Sequence, residues 1–264
     1  MWNNQREFLN GIIRKIRPKK SLELGVSFGG SSIIILNAIK DIKNSHLYSI
    51  DTNNNSFIGS CVYNNFSYLI DKWTLFKGGI AADFANKIPK DIDFVMLDTR
   101  HFEPGEILDF LMILPFLKNK AIVIIHDIDL QITSGTKKDM RYSWAPYIIF
   151  NLIRGKKVFP SGKGILNKNI GAIKLEGNQK RFTYDYCRAL AGQWQYFLSK
   201  EQIKIITSYF KKYYSKECLI ILNETIIFNR EFVNNNPRED LFIRLRRERN
   251  REKLIKKNST ILKK

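Results

Sequence analysis

Two carboxylates and two imidazoles follow two apolar runs that have the composition of buried β-strands. Asp98 and His101 come after residues 94–97, and His126 and Asp127 come after residues 121–125. The chain contains only three histidines, so two of them at these positions favour a reactive centre. Side chains of this kind can bind a divalent metal ion or exchange a proton with a substrate.

Three interpretations of this cluster stay open from the sequence. In the first, Asp98 and Asp127 give hard oxygen ligands to a divalent metal ion, with His126 as a further ligand. In the second, His101 or His126 takes the proton of a substrate hydroxyl, and activity rises through a pKa near 6.5. In the third, Asp98 touches a bound ligand, Asp127 caps a loop and His126 is buried. We expect His101 to be the base, because it lies on a loop that leads into a helix.

A glycine-rich turn follows the first apolar run, residues 21–24. Glu23, Gly25, Ser27 and Gly29 lie in a sequence that runs directly into a helix-length segment. The glycines permit a tight turn and close backbone approach, and the helix N-terminus offers free amides to a polar ligand. Ser27 replaces the second glycine of the dinucleotide-binding pattern, and the lysine of a phosphate-binding loop is absent. Glu23 therefore favours a ligand with a cationic group over a pyrophosphate.

Two further strand ends carry residues suited to a nucleoside. Asp51 follows residues 47–50, where its carboxylate can accept both hydroxyls of a ribose. Gly79 and Ala81 follow residues 74–76, and their small side chains would admit a flat adenine ring. Alone, Asp51 is equally well explained as a turn or helix-capping residue. Its combination with the glycine-rich turn favours the ribose contact.

These side chains can meet only if the strand ends lie at one edge of a sheet. The predicted strands are residues 21–24, 47–50, 74–76, 94–97 and 121–125, and the predicted helices between them are residues 31–42, 56–71, 80–88 and 104–117. This alternation predicts a doubly wound, Rossmann-like α/β sheet that is mostly parallel and binds ligands beyond the carboxyl ends of its strands. After a helix at residues 144–154, residues 157–159 and 171–175 predict an antiparallel hairpin. The hairpin would complete a seven-stranded sheet at its edge.

The organisation of the chain predicts a main domain at residues 1–176, a helical appendage at residues 177–240 and a basic tail at residues 241–264. Residues 181–230 contain eleven aromatic residues on predicted helices. One helix begins at the capping box of Ser199 and Gln202. We expect the aromatic residues to pack against the main domain or to join two subunits in a homo-oligomer.

The composition excludes several classes of protein. The 264 residues are 44% hydrophobic and 26% charged, which is typical of a folded globular protein rather than a disordered one. Three cysteines are too few and too scattered for a disulfide framework or a thiolate zinc site. No apolar stretch is long enough to span a bilayer, and the N-terminus lacks the pattern of a signal peptide. We therefore expect a cytoplasmic protein without a transmembrane segment.

The net charge of +19 is concentrated toward the C-terminus, where residues 241–264 carry 10 basic and 2 acidic groups. Such a tail can bind phosphates or an anionic membrane surface. We favour the alternative of a solvated or frayed terminus. For the whole chain, A/T-rich codons alone would supply many of the lysines.

Residues 23–31 resemble the cofactor loop of class I S-adenosylmethionine-dependent methyltransferases. The resemblance is strongest to the small-molecule O-methyltransferases grouped with macrocin O-methyltransferase and the cephalosporin-hydroxylase-like proteins. It continues to Asp127 and covers roughly residues 20–175. It implies that S-adenosylmethionine is bound by the main domain, with its methionine part at Glu23, Gly25, Ser27 and Gly29, its ribose at Asp51, its adenine at Gly79 and Ala81, and Asp98 beside it.

The same resemblance implies Mg²⁺ held by acids at the ends of the fourth and fifth strands, where it would orient a substrate hydroxyl. The chain departs from the group's pattern in three ways. Asn119 and Lys120 stand where a Gly-Gly pair is common before the fifth strand. Thr99 and Arg100 replace the Gly-Asp pair common before the following helix, and His126 stands where metal-dependent relatives have an acid or an amide. Imidazole is a poorer ligand than oxygen for a hard cation.

These observations predict methyl transfer from S-adenosylmethionine to an oxygen of a small-molecule acceptor such as a sugar or glycan precursor. One alternative is an RNA or ribosome methyltransferase whose basic tail contacts phosphates; the absence of a separate RNA-binding module argues against it. The other is a non-catalytic scaffold that retains the fold. A scaffold would not need Glu23, Gly25, Gly29 and Asp51 together.

Overall fold

A seven-stranded sheet forms the centre of the computed structural model, which describes residues 1–133, 144–162, 164 and 168–235. The strands are β1 Lys20–Leu24, β2 His46–Asp51, β3 Trp73–Lys77, β4 Ile92–Leu97, β5 Leu117–His126, β6 Gly155–Val158 and β7 Ile170–Leu175. Their order across the sheet is β3-β2-β1-β4-β5-β7-β6. β1 to β5 run parallel, and β7 pairs antiparallel with both β5 and β6. The predicted doubly wound sheet with an antiparallel edge pair is confirmed.

Helices cover both faces of the sheet. Within the described residues they are α1 Asn3–Ile16, α2 Gly30–Ile39, α3 Ser60–Asn65, α4 Gly105–Ile113, α5 Leu130–Thr133, α6 Ala145–Leu152, α7 Thr183–Arg188, α8 Lys200–Tyr213 and α9 Lys216–Asn235. Alternate residues of β4 enter different apolar cores: Phe94 and Met96 lie in one, Val95 and Leu97 in the other. A strand covered on both faces has a continuous apolar sequence for this reason.

Two predicted helices are shorter than expected. The segment at residues 56–71 contains α3 and a 3₁₀ helix at Ser67–Lys72, separated at Phe66. Its beginning is not helical, because the amide of Gly59 donates to the carbonyl of Ser27 at 2.8 Å instead. The segment at residues 80–88 contains only the 3₁₀ helix Ala81–Phe84.

An N-terminal helix, α1, was not predicted. Leu9 and Ile13 are fully buried and lie four residues apart, on the face that packs in the same core as α2. The helix ends at Ile16, and the next residue, Arg17, has a left-handed φ of 49° just before Pro18. Its first turn lies near the carboxyl end of β5 through Gln5.

The C-terminal helices pack against the main domain. The Tyr209 hydroxyl donates to the carbonyl of Met112 at 2.6 Å, and the Tyr214 hydroxyl donates to the carbonyl of Leu111. The capping box of Ser199 and Gln202 is present at the start of α8. The division at residue 176 stays a prediction, and the basic tail lies outside the described residues. No described helix combines the length and apolar character needed to cross a membrane.

Candidate active site

The turn after β1 brings the ends of β1 and β4 into contact. Gly25 has a φ of +87°, and a Cβ atom there would lie 1.9 Å from the carbonyl oxygen of Asp98. The amide of Asp98 donates to the carbonyl of Leu24 at 3.0 Å. Gly29, with a φ of +93°, directly precedes α2. Only glycine fits at position 25 without separating the two strand ends, so the predicted close backbone approach is present.

Glu23 lies beneath this turn and is fully buried. Its carboxylate accepts hydrogen bonds from the hydroxyls of Ser31, Ser32 and Ser49 at 2.5, 2.6 and 2.7 Å. Burial raises the pKa of Glu23, and the three hydroxyls partly oppose that rise. The carboxylate therefore joins β1, β2 and α2, and in this structure it has no surface with which to contact a ligand.

Asp51 holds the turn from the end of β2. Its Oδ2 accepts from the amides of Val26 and Ser27 at 3.0 and 2.9 Å, and its Oδ1 accepts from the amide of Asn53 at 2.8 Å. A carboxylate offers about four acceptor positions. One position is left for a ligand, so the expected pair of ribose bonds is reduced to one.

The remaining predicted residues of this edge differ in accessibility. Ser27 is exposed in the turn. The amide of Gly78 donates to the carbonyl of Asp51 at 2.9 Å, which places the partly exposed Gly79 beside Asp51. Ala81 is buried in the core. Gly79, and not the Ala81 side chain, is therefore available to a ligand.

Four side chains meet at the ends of β4 and β5, and we call them the His–Asp quartet: Asp98, His101, His126 and Asp127. His101 Nε2 lies 3.1 Å from Asp127 Oδ2 and 3.8 Å from Asp98 Oδ1. His126 Nδ1 lies 3.2 Å from the same Asp127 oxygen and 3.4 Å from Asp98 Oδ1. His126 is buried, whereas the other three are partly exposed. A substrate can therefore reach three members of the quartet.

Glu106 fixes the orientation of His101. Its Oε1 accepts from both the backbone amide and Nδ1 of His101, each at 2.9 Å. Because Nδ1 donates to Glu106, Nε2 is the nitrogen that faces the two aspartates. His101 has a φ of +57°, which is uncommon for a residue with a side chain. The hydrogen bond from the His101 backbone amide to Glu106 helps to stabilise that conformation.

The carboxylates around the two histidines raise their pKa values. Burial lowers the pKa of His101, but the hydrogen bond and charge of Glu106, with the charges of Asp127 and Asp98, outweigh burial and raise it to about 9. For His126, burial again lowers the pKa, and Asp98 and Asp127 raise it to about 10. The free quartet therefore holds imidazolium ions at neutral pH. The expected pKa near 6.5 is corrected upward.

Three residues that the sequence analysis missed complete the network: Gln5, Glu106 and Asn169. Gln5 Oε1 lies 3.2 Å from His126 Nε2, and Asn169 donates from Nδ2 to Asp127 Oδ1 at 2.6 Å. These partners are 121 and 42 residues apart, so no local pattern could connect them. Glu106 had a local signal, because it is an acidic residue in the first turn of α4.

The quartet also has the geometry of a metal-binding site. One ligand atom from each of Asp98, His101 and Asp127 lies within 4.8 Å of the others. Among the described residues, the buried Nδ1 of His126 has no hydrogen bond of good geometry, although it faces the same two aspartates. The sequence predicted His126 as the further ligand beside Asp98 and Asp127. In the structure, the histidine of this set of mutually close ligand atoms is His101.

Residues 22–128 match a protein family described as "Methyltransferase domain". Every predicted site residue lies inside this range. Gln5 and Asn169 lie outside it. A comparison with curated proteins gave no match.

Solved structures with the same fold include three enzymes of low sequence identity. An O-methyltransferase from Bacillus cereus in complex with SAH is 15% identical, with a TM-score of 0.51 over 66% of this chain and 82% of that one. TomG, an O-methyltransferase from Streptomyces achromogenes in complex with SAM, is 17% identical, with a TM-score of 0.53 over 67% and 82%. The SAH-bound methyltransferase PaMTH1 from Podospora anserina is 15% identical, with a TM-score of 0.51 over 66% and 78%. At these identities the likeness establishes the fold.

Proposed function

We propose that residues 22–128, which match a methyltransferase domain, bind S-adenosylmethionine as a class I methyltransferase does, and that the protein methylates an oxygen of a small molecule. The observation that carries this proposal is the contact of Gly25 with the backbone of Asp98. It brings the cofactor turn directly against the His–Asp quartet, where a hydroxyl can lose its proton. A sugar or glycan precursor is the acceptor class we favour, by resemblance to the macrocin O-methyltransferase group.

The cofactor would lie along the carboxyl edge of β1 and β2. We assign its methionine part to the turn from Gly25 to Gly29, its ribose to the free acceptor position of Asp51 and its adenine to Gly79. A Cβ at Gly30 would meet nothing within 4 Å, so there is open space at the start of α2. When bound, S-adenosylmethionine supplies a methyl group that is electrophilic because it is attached to a sulfonium ion. The chain's own residues then need to orient the acceptor and remove its proton.

His101 is the proton acceptor in the mechanism we favour. Glu106 keeps the proton on Nδ1, which leaves Nε2 to accept the proton of the acceptor hydroxyl. Asp127, 3.1 Å from Nε2, then stabilises the imidazolium that forms. His126 is buried and hydrogen-bonded to Gln5. It therefore contacts the two aspartates from the protein interior and does not contact the acceptor.

A divalent metal ion would be held by Asp98, His101 and Asp127, the set whose ligand atoms lie within 4.8 Å of one another. When bound, such an ion would supply positive charge that lowers the pKa of an acceptor hydroxyl. An imidazole between two carboxylates suits Mn²⁺ or Zn²⁺ better than Mg²⁺. His101 cannot hold an ion through Nε2 and take a proton there, so the two mechanisms exclude each other.

Transfer of a tritiated methyl group from S-adenosylmethionine into a small-molecule extract of the native cell tests the proposal. We expect a labelled low-molecular-weight product whose methyl group is bound to oxygen. Label in RNA or protein alone would contradict the proposal. Prior treatment with a chelator separates the two mechanisms: unchanged turnover supports His101 as base, and loss of turnover that Mn²⁺ restores supports the metal.

A further inference from the structure

The loop that carries Asp98 and His101 is held by a distant part of the chain. The amide of Glu103 donates to Gln195 Oε1 at 2.9 Å, and the amide of Gln195 donates to the carbonyl of Glu103 at 3.0 Å. One of these hydrogen bonds joins the two backbones and the other uses the Gln195 side chain, so both the backbone and the side chain of Gln195 hold Glu103. Gln195 lies outside the residues that match the methyltransferase domain.

Tyr196 makes the second contact with the same loop. The guanidinium carbon of Arg100 lies 4.0 Å from the centre of the Tyr196 ring. An ideal Cβ at Gly105, where α4 begins, would lie 3.9 Å from the Tyr196 hydroxyl. The ring therefore contacts the residue before His101, and the Tyr196 hydroxyl lies near Gly105, the residue before Glu106. A cation over the face of an aromatic ring is attracted by the negative charge of that face, so the contact stabilises both side chains in this position.

The segment that presents Gln195 and Tyr196 is itself anchored. Trp194 is buried, its indole N–H donates to the carbonyl of Leu190 at 2.9 Å, and its amide donates to Asn229 Oδ1 at 2.7 Å. The Asn229 side chain also donates to the carbonyl of Gly192 at 3.1 Å. Because Asn229 is fully buried on α9, residues 192–198 have a fixed position relative to the C-terminal helices.

The loop that carries Asp98 and His101 has unfavourable features that contacts from outside the loop must offset. His101 has a left-handed φ of 57°, which is unfavourable for a residue with a side chain unless other contacts compensate it. Among the described residues, one carboxylate oxygen each of Glu103 and Glu106 is buried without a hydrogen-bond partner. A loop with these features would adopt other conformations if nothing outside it opposed them.

We propose that residues 192–198 are a positioning segment, in which Gln195 and Tyr196 hold the loop so that His101 Nε2 faces Asp127. This inference rests on the proposed function for its catalytic meaning. It assigns to the C-terminal region, which the domain match does not cover, a direct part in building the acceptor side of the site. The cofactor side does not need it, because Asp51 at the end of β2 and Glu23 on β1 fix the glycine turn and the start of α2.

Histidine-selective ¹⁵N NMR tests the proposal, since the chain has only three histidines to resolve. The Nδ1 proton of His101, bonded to Glu106, is the reporter, and His46, bonded to Thr74 on β3, reports whether the sheet is intact. We expect Gln195→Ala and Tyr196→Leu to speed exchange of the His101 proton by about tenfold or more, while the His46 signal is unchanged. Tyr196→Phe keeps the ring and should keep most of the protection.

Matched controls are Gln193→Ala and Tyr184→Leu, which alter exposed residues of the same region. Unchanged His101 exchange in both Gln195→Ala and Tyr196→Leu, with the His46 signal intact, would overturn the proposal. Calorimetry with S-adenosylhomocysteine separates it from the proposed function. Binding should be the same in the wild type and both variants, whereas no binding to the wild type would contradict the proposed function and leave the NMR result to decide the positioning role.

Discussion

At the scale of residues, acidic side chains both orient His101 and favour its protonated form. Glu106 holds Nδ1, and Asp127 and Asp98 lie near Nε2. The same carboxylates raise the pKa of His101 to about 9 against the opposing effect of burial. The carboxylates that orient the His101 ring therefore also reduce the fraction of neutral imidazole at pH 7.

This arrangement predicts the pH dependence of methyl transfer. If His101 is the base, it must be neutral, so turnover of chelator-treated enzyme should rise with pH through about 9. Rates of methyl transfer from pH 6 to pH 10 measure this. His101→Gln should lower the rate and flatten the rise. A rise centred near 6.5, the pKa of a free histidine, would contradict the assignment.

The stability of the fold should depend on pH in the same range. The folded-state pKa of His101 is about 9, above its unfolded value of about 6.5, so its contribution is complete below 6.5 and is lost as the pH rises through 9. We expect the melting temperature of the wild type to fall more steeply between pH 6.5 and 9.5 than that of His101→Gln. Calorimetric melting of both proteins tests this, and parallel curves would exclude the effect.

Asp51 should contribute to cofactor affinity through one hydroxyl and through the turn. A hydrogen bond to a charged group contributes about 1.5–3 kcal/mol, so Asp51→Ala should weaken binding of S-adenosylhomocysteine by roughly tenfold to a hundredfold. Titration calorimetry measures the change, with Asp41→Ala, an exposed aspartate, as the control. Wild-type affinity in a folded Asp51→Ala protein would remove Asp51 from the site.

At the scale of elements, the contact between the ends of β1 and β4 requires a residue without a side chain at position 25. Gly25→Ala would place a Cβ 1.9 Å from the Asp98 carbonyl oxygen at a φ of +87°, so the strand ends must separate. We expect loss of cofactor binding and a large fall in melting temperature. Gly11→Ala is the control: it lies in α1 with nothing within 4 Å of an added Cβ, and should stabilise the helix by about 0.5–1 kcal/mol. Similar melting temperatures for the two variants would contradict this account.

The sequence predicts the central elements well, because strands buried on both faces have continuous apolar runs such as residues 94–97. It also places the glycine turn and the quartet, since these residues directly follow strands. The prediction of one continuous helix at residues 56–71 is wrong, because the Gly59 amide donates a hydrogen bond to the Ser27 carbonyl instead of to a helical partner. The contacts of Gln5, Asn169 and Gln195 could not be predicted, since they join residues that are near only in the folded chain.

At the scale of the whole molecule, the most basic segment, residues 241–264, and the acidic site lie in different parts of the sequence. The chain carries +19, yet the candidate site is built around Asp98, Glu106 and Asp127. Removing residues 241–264 should leave S-adenosylhomocysteine affinity and small-molecule methylation unchanged and should weaken retention on heparin. Lost turnover with unchanged cofactor affinity would show that the tail contacts the acceptor.

The positioning segment also sets an order in which the site can be completed as the chain is made. The glycine turn, Asp51 and the end of β4 are all synthesised before residue 100 leaves the ribosome. The acceptor side waits for Asn169, then for Gln195, and finally for α9, whose Asn229 anchors Trp194. A nascent chain can therefore gain the parts that we propose to bind the cofactor well before it gains the parts that orient His101. If His101 is the base, methyl transfer would therefore require the C-terminal helices to be in place first.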